Sequence, residues 1–250
     1  MKDSTIRDKN NLVIRFFACF FWIIIWHFIG QSLGNELLLP LPLTVLKSLL
    51  SMMVDIEFHI SVLNTFLKII LGFSISSIVG MLLSILSYNI EFIRILLSPL
   101  ISTIKSTPVA SIVILALVWI KSSNLSIFIS FLMVLPIVYT NMLKGLDNTD
   151  TKLLEMAEVF RVSRYKKIRY IYIPEVKPYL IAASSVALGF SWKAGIAAEV
   201  IGLPKNSIGE ALYNAKIYLD TSELFAWTLF IILISVLFEK LFISIIKKIN

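Results

Sequence analysis

Charged residues, cysteine and histidine are all scarce in this chain. Only 16% of its 250 residues are charged and 58% are hydrophobic, whereas an average soluble domain has about 25% charged residues. The single Cys19 leaves no disulfide framework, and His27 and His59 are too far apart in sequence to suggest a metal site. With a mean hydropathy of +0.87, the composition predicts an integral membrane protein without a metal centre.

Apolar runs long enough to cross a bilayer, which takes about 20 helical residues, recur six times along the chain. They cover residues 12–30, 60–87, 93–120, 125–143, 178–202 and 224–246. The first run is longer than a signal-peptide core and has no small-residue cleavage site after it, so we expect it to be retained. Pro99, Pro108 and Pro136 predict kinks in the third and fourth helices. The sequence therefore predicts an all-α membrane protein with six transmembrane helices.

The lysines and arginines fall mainly on one side of these spans. With both termini in the cytoplasm, sixteen of the 23 face inward and three lie within helices: Lys68, Lys105 and Lys193. The four that face outward are Lys47, Lys121, Lys205 and Lys216. The positive-inside rule favours this orientation. A net charge of +7 also occurs in nucleic-acid-binding proteins, but these cations flank apolar spans beside an anionic inner leaflet. We therefore expect contact with membrane lipid and no nucleic-acid partner.

The most basic segment, residues 144–177, carries eight of the 23 cations between two apolar runs. Apolar residues recur in it at helical spacing, and Thr149 or Asp150 can cap the helix start. These apolar residues are Leu153, Leu154, Ala157 and Phe160. The pattern predicts a short amphipathic helix on the cytoplasmic face, either a surface helix that only fixes topology or a contact for a cytosolic protein.

This segment resembles the cytoplasmic signature of permease subunits of bacterial ABC importers. That signature reads Glu-Ala-Ala, three residues, Gly, nine residues, Ile-x-Leu-Pro, and this chain has the same spacing with Glu155-Met156-Ala157, Arg161 and Ile171-Tyr172-Ile173-Pro174. Arg161 replaces the glycine that normally allows a positive φ between two short helices, so we expect an ordinary turn or a modestly strained one there. The stretches LPLPLTVLKSLL, FLKIILGF, SPLISTIKSTPVASIVILALVWI and FSWKAGIAAEVIG resemble the nitrate, sulfonate and taurine branch of the family.

The resemblance implies a type I importer permease fold, with residues 1–250 forming one permease domain whose core is about 60–246. It implies a bacterial plasma-membrane protein that binds two cytosolic ATPase subunits, a second permease copy in a homodimer or heterodimer, and an extracytoplasmic binding protein. The solute would be a small anion of the sulfonate, nitrate or taurine kind, or a vitamin precursor. The residues that the resemblance assigns to ATPase coupling are Leu153, Leu154, Glu155, Ala157, Phe160, Arg161, Ile171 and Pro174.

A nucleotide site is not expected in this chain, because the phosphate-binding sequence Gly-x4-Gly-Lys-Ser/Thr does not occur. We expect no bound cofactor and no catalytic activity, with ATP and Mg²⁺ held by the partner ATPases. A membrane-embedded enzyme remains an alternative, although such an enzyme would need paired aspartates within its helices and the aspartates of this chain are predicted in loops. A stand-alone secondary transporter or channel is another, although the two halves do not resemble each other.

The fifth apolar run is rich in small residues, which predicts close helix packing. Ser185, Trp192 and Glu199 recur there at seven-residue spacing and share one helix face, whereas Lys193 lies on another. That face lines a translocation path, or Trp192 packs against a partner helix while Glu199 reaches the outer interface. Lys193 attracts an anionic substrate or pairs with another helix. Charges within a span are expensive and point to function by default.

Overall fold

The computed structural model describes the backbone of residues 2–248 and the side chains of residues 14 and 17–248. Every regular element in this range is helical, as the apolar runs predicted. The first helices are α1 (Lys2–Leu33), α2 (Pro42–Met52), α3 (Ile56–Asn89), α4 (Glu91–Ser106), α5 (Val109–Ala116) and α6 (Ser122–Asp147). They are followed by α7 (Thr151–Val159), α8 (Arg164–Lys167), a π-helical turn (Ile168–Tyr172), α9 (Ile173–Gly202), α10 (Ile208–Ile217) and α11 (Thr221–Lys248).

The chain divides into two compact units, each folded largely on itself. One contains the chain up to His59 together with Leu212–Ile231, and the other contains Ile60–Ala211 with the chain from Ile232. The single permease domain expected from the sequence stays a prediction.

The smaller unit is held by an aromatic and aliphatic cluster. Pro42 begins α2 at a position where its missing N–H costs nothing. Val45 and Leu49 then pack with Ala226 of α11. Phe58 stacks on Trp227 with ring centroids 4.7 Å apart, which joins the start of α3 to the start of α11 within this unit.

The larger unit is built on α3, α6 and α9. Close contacts at glycines show the relative directions of these three helices. Gly72 lies against Ile127 and Gly80 lies against Val138, so α3 and α6 run parallel. Gly145 lies against Tyr179 and Gly195 against Ser130, so α9 runs antiparallel to α6. Small residues permit these approaches, as predicted for the fifth apolar run. The alternation matches helices that cross the bilayer in turn.

The third predicted span is not one helix. Thr107 and Pro108 are extended, and α4 and α5 meet there at 102°. Pro108 has no N–H to donate and disfavours helical geometry at the residue before it, so the break falls where a kink was predicted. Ile101 of α4 packs near one end of α6, with Tyr139 and Leu143. Val113 of α5 packs near the other end, with Leu125 and Ile129, so the broken pair traverses the unit.

Four helices within the described residues are long and apolar enough to span a membrane: α3, α6, α11 and the continuous stretch Arg164–Gly202. The number is five if the α4–α5 pair is counted as one broken span. The apolar part of α1 whose side chains the structure describes, Phe17–Leu33, is shorter. The predicted first span, residues 12–30, lies partly outside the described side chains, so the count of six stays a prediction.

Candidate functional site

Helix α7 forms within the basic segment because its start is capped by a side chain. The Asp150 carboxylate accepts a hydrogen bond from the Lys152 backbone N–H at 2.8 Å. This satisfies one of the four N–H groups that a helix start leaves without an intrahelical partner. Of the two capping residues that the sequence allowed, the structure uses Asp150.

The apolar residues of α7 divide between the interior of the chain and its surface. Ala157 is only 3% exposed, and Leu153 and Leu154 are half-buried. Val159 and Phe160 are 79% and 74% exposed. Ala157 therefore packs inside this chain, and its assignment to ATPase coupling stays a prediction. Glu155 is exposed, as is Met156 beside it.

The turn after α7 keeps a glycine-like conformation without a glycine. Arg161 has φ of 51°, in the left-handed region that L-residues rarely adopt. The Val162 N–H donates to the Ala157 carbonyl at 2.8 Å and the Arg161 N–H donates to the Glu158 carbonyl at 2.9 Å. These two bonds form a Schellman motif, in which the residue after the helix is usually glycine. Of the two expectations for Arg161, the strained turn is confirmed.

The remainder of the basic segment joins α7 to α9 through helical structure. The Lys167 ammonium lies 3.6 Å from the Glu158 carboxylate and ties α8 to α7. Ile171 lies in the π-helical turn, half-buried, and Pro174 is exposed directly after it, in the first turn of α9. The eight residues of the coupling assignment thus lie on α7, in the turn after it and at the entrance to α9.

On α9, the face that carries Ser185, Trp192 and Glu199 is covered by the chain itself. Ser185 donates a hydrogen bond to the Glu239 carboxylate of α11. Trp192 is 1% exposed, with its ring 5.9 Å from that of Phe66. Within the described residues, the face therefore borders packed helices and no open path, which favours the packing interpretation of Trp192.

Glu199 lies at the centre of a buried polar cluster. Its Oε2 accepts a hydrogen bond from the Thr65 hydroxyl at 2.7 Å, and the Gly209 N–H points to the same oxygen at 3.4 Å. The Ile208 N–H in turn donates to the Thr65 hydroxyl oxygen at 3.0 Å. Glu199 is fully buried within the chain near the end of α9, and its position at the outer interface stays a prediction. The carboxylate lies at the start of α10, where it is approached by the Gly209 N–H and where the helix dipole favours negative charge.

Lys193 lies on another side of α9, in a largely exposed stripe. The stripe follows helical spacing and contains mainly small and apolar residues: Ala182, Val186, Phe190, Lys193, Ala197 and Ile201. Within the part of the chain that the structure describes, Lys193 has no ion-pair partner. A charge within a span without a partner points to a water-filled path or to another subunit.

Two polar residues of this region were missed by sequence reasoning. Thr65 lies 134 positions from Glu199, so no local pattern could have paired them. Glu239 is a carboxylate inside the sixth apolar run, and that alone is a signal that could have singled it out.

Membrane-length helices joined by a basic segment that holds a short surface helix with exposed apolar residues are typical of a transport permease. The family model described as the binding-protein-dependent transport system inner membrane component matches residues 76–250. The chain belongs to this family of ABC importer permeases, whose members are multi-pass membrane proteins and have no catalytic activity of their own.

Relatives with assigned transport roles agree with the family. The nitrate import permease protein NrtB of Synechocystis sp. is 21% identical over 236 residues, which cover 90% of this chain and 84% of that protein. The bicarbonate transport system permease protein CmpB of Synechococcus elongatus is 27% identical over 145 residues, covering 58% and 52%. The putative aliphatic sulfonates transport permease protein SsuC of Escherichia coli is 28% identical over 127 residues, covering 50% and 48%. The chain thus spans about half the length of the last two, and the predicted resemblance to the nitrate and sulfonate branch is confirmed.

Proposed function

We propose that this chain forms the translocation path of an ATP-driven importer for a small anion, and that α7 is its coupling helix. Two copies of the chain, or this chain and a related one, would pair in the membrane. Two cytosolic ATPase subunits would bind ATP and Mg²⁺, and an extracytoplasmic binding protein would deliver the solute. Both termini would lie in the cytoplasm.

The observation that carries the proposal is the exposed end of α7 within a chain that belongs to the importer permeases. Val159 and Phe160 present apolar surface to water on a helix of nine residues. Such a short helix is marginal alone and gains stability from packing. Two exposed apolar side chains next to Glu155 fit a groove on a partner protein, with the carboxylate at its rim.

Helical structure and an ion pair connect this surface to the membrane spans. From Ser163 the chain continues through α8 and the π-helical turn into α9 with little interruption, and the Lys167–Glu158 ion pair holds α7 to this run. A partner that moved α7 would therefore displace the entrance of α9. ATP-driven closure of the ATPases would bring two such helices together and switch the spans between inward-open and outward-open states.

The proposed substrate class rests on the relatives and on Lys193. Nitrate, bicarbonate and aliphatic sulfonates, named for the three relatives, are all anions. Lys193 supplies a cation on the exposed stripe of α9. A vitamin precursor is the other substrate class that we keep. Lys193→Met should lower uptake while assembly and basal ATPase activity persist, whereas loss of assembly would indicate an ion pair between subunits.

A pair of matched substitutions tests coupling. Val159→Asp places a charge in the proposed contact, whereas Val54→Asp makes the same change at a site that is 87% exposed in the predicted outer loop. A desolvated charge costs a few kcal/mol, so Val159→Asp should weaken ATPase association about 10- to 100-fold. Val54→Asp should leave it unchanged. The measurement is co-purification of the ATPase with the tagged permease, together with uptake.

If ATPase recovery and uptake were equal in wild type and Val159→Asp, α7 would be only a surface helix that fixes topology. Uptake by the purified chain without any ATPase would favour a stand-alone transporter or channel.

The orientation has its own test. In a background with Cys19→Ser, cysteines at the exposed positions Ser163 and Lys205 should react from opposite sides of intact cells. An impermeant maleimide added outside should label Lys205→Cys only. Labelling of Ser163→Cys under the same conditions would reverse or abolish the proposed topology.

A further inference from the structure

An apolar groove opens at the end of the larger unit that carries the basic segment. It has a volume of about 300 Å³ and is lined by the last turns of α3 and α6, the first turns of α9 and the end of α11. Its lining includes Met81, Met142, Leu146, Val176, Leu180 and Ile246. The ammonium of Lys177, the one cation among the described residues of this lining, donates to the Lys247 carbonyl at 3.3 Å.

A second groove of about 550 Å³ adjoins the first and is basic. Ile85, Leu146, Ile168 and Tyr172 line both grooves, so the two form one continuous depression. Arg164 and Lys167 line the second groove with Asn89, and no carboxylate belongs to the described lining of either. Lys167 pairs at 3.6 Å with Glu158, whose side chain is 76% exposed.

Two of the four residues shared by the grooves, Ile168 and Tyr172, are the ends of the π-helical turn. A π-helical turn has a wider hydrogen-bonding pattern than an α-helix and is frequent at functional sites. Here it carries Ile168 and Tyr172 to the junction of the apolar and the basic groove. The α-helix resumes directly after it at Ile173.

We propose that this depression is a binding site for one anionic phospholipid of the cytoplasmic leaflet. An acyl chain would occupy the groove between α3, α6 and α9, and the phosphate would bind Arg164 and Lys167. A guanidinium offers two parallel donors to a phosphate and an ammonium adds a point charge. Basic pockets between membrane helices on the cytoplasmic side suit anionic headgroups.

The arrangement of charge favours a lipid over a soluble anion. The two cations lie at one end of an apolar depression formed by the ends of four helices, three of which are membrane-length by themselves. A soluble anion would leave the apolar groove unfilled, whereas a phospholipid matches both parts. A phosphate at Lys167 would also compete with Glu158 of α7 for the same ammonium, so the lipid would act next to the proposed coupling helix.

Native mass spectrometry of the full-length, delipidated chain in detergent tests the site. The probes are phosphatidylglycerol and phosphatidylcholine with identical acyl chains. Two cations near a headgroup favour the anionic lipid about thirtyfold, so phosphatidylglycerol should be retained preferentially by about that factor. Equal retention of the two lipids by the wild-type chain would overturn the proposal whatever the variants do.

The matched variants separate a built site from general attraction to a basic surface. Arg164→Gln with Lys167→Gln should reduce phosphatidylglycerol retention to the phosphatidylcholine level. Lys144→Gln with Lys166→Gln removes the same charge at exposed positions outside both grooves and should retain the preference. An equal loss in both double variants would mean only general attraction, against the proposal.

Two further probes distinguish the lipid from its headgroup. Met81→Trp fills the apolar groove and should lower phosphatidylglycerol retention about tenfold without touching the cations. Glycerol phosphate, which has the headgroup chemistry but no acyl chain, should not displace the lipid at equal concentration. Full retention in Met81→Trp, or displacement by glycerol phosphate, would contradict a lipid site. None of these measurements involves the ATPase, so the proposed coupling role can fail or hold independently.

Discussion

Helices α7 and α9 follow each other closely in sequence but place their side chains in opposite ways. α9 buries Glu199, a carboxylate, inside an apolar span. α7 exposes Val159 and Phe160, two apolar residues, on a polar segment. In α9 one oxygen of that carboxylate, Oε2, is hydrogen-bonded within the chain, and the other, Oε1, has no partner among the described residues. In α7 the two apolar side chains are not covered by the described part of the chain. The difference separates a helix whose residues serve the fold from one whose surface is available to a partner.

The two helices also differ in what holds them in place. α9 is 30 residues long and packs closely against neighbouring helices at its small residues. Gly195 lies against Ser130, and Gly202 lies against Leu125. Nine residues of α7 are held by their ends, through the Asp150 cap and the Schellman motif at Arg161. Substitutions in α9 should therefore change stability more than partner binding. Substitutions on the exposed end of α7 should change partner binding more than stability.

The largest effect on stability is expected from Gly209→Ala. An added Cβ would lie 2.3 Å from the Glu199 Cβ and 2.5 Å from the Val200 backbone nitrogen, so α10 would have to move away from the end of α9. Overpacking of this kind costs about 3 kcal/mol, or roughly 6–12 °C in Tm for a chain of this size. The measurement is thermal unfolding of the purified chain in detergent.

Gly189→Ala is the matched control for that change. It makes the same substitution in a helix, but nothing in the described part of the chain lies within 4 Å of the new Cβ. Alanine is the better helix former by up to about 1 kcal/mol, so the Tm should stay equal or rise slightly. Equal Tm values for the two variants would mean that the close approach of α10 to α9 is not a packing constraint.

A smaller loss is expected from Glu199→Ala. The substitution leaves the buried Thr65 hydroxyl and the Gly209 N–H without their acceptor, at a cost of about 2 kcal/mol. Glu199→Gln keeps an acceptor oxygen of similar size and should lose less than half as much. Val159→Asp, measured alongside, should leave the Tm unchanged. A Tm loss in Val159→Asp equal to that of Glu199→Ala would remove the contrast between the two helices.

Local signals in the sequence predicted local structure well. The Asp150 cap, the break at Pro108 and the close packing of the small-residue run follow from interactions between neighbours or from the size of single residues. Helical spacing in the sequence does not show which apolar residues of a short helix are buried. Ala157 and Phe160 recur at helical spacing, yet the first is buried and the second exposed, because the pattern fixes a face without saying what covers it.

The hydrogen-bond partners of Glu199 could not be predicted from the sequence, for a physical reason. The Glu199 side chain has no hydrogen-bond partner on α9 among the described residues, and the groups that donate to its carboxylate come from α3 and α10. Only the packing of three helices brings those groups together. The cost of a buried carboxylate predicted that Glu199 needed a partner or water, but nothing in one sequence identified Thr65.

The smallest expected effect concerns Arg161, where the turn after α7 holds a residue in a conformation suited to glycine. Arg161→Gly removes the steric cost of a positive φ, about 1 kcal/mol, but adds conformational entropy to the unfolded chain of similar size. We expect ATPase binding and Tm to stay unchanged.

Arg161→Val puts a β-branched residue at the same φ, which is strongly disfavoured. It should raise hydrogen exchange of the Val162 amide about tenfold, because that N–H donates to the Ala157 carbonyl across the turn. Unchanged exchange at Val162 in Arg161→Val would show that α7 is not held by this turn.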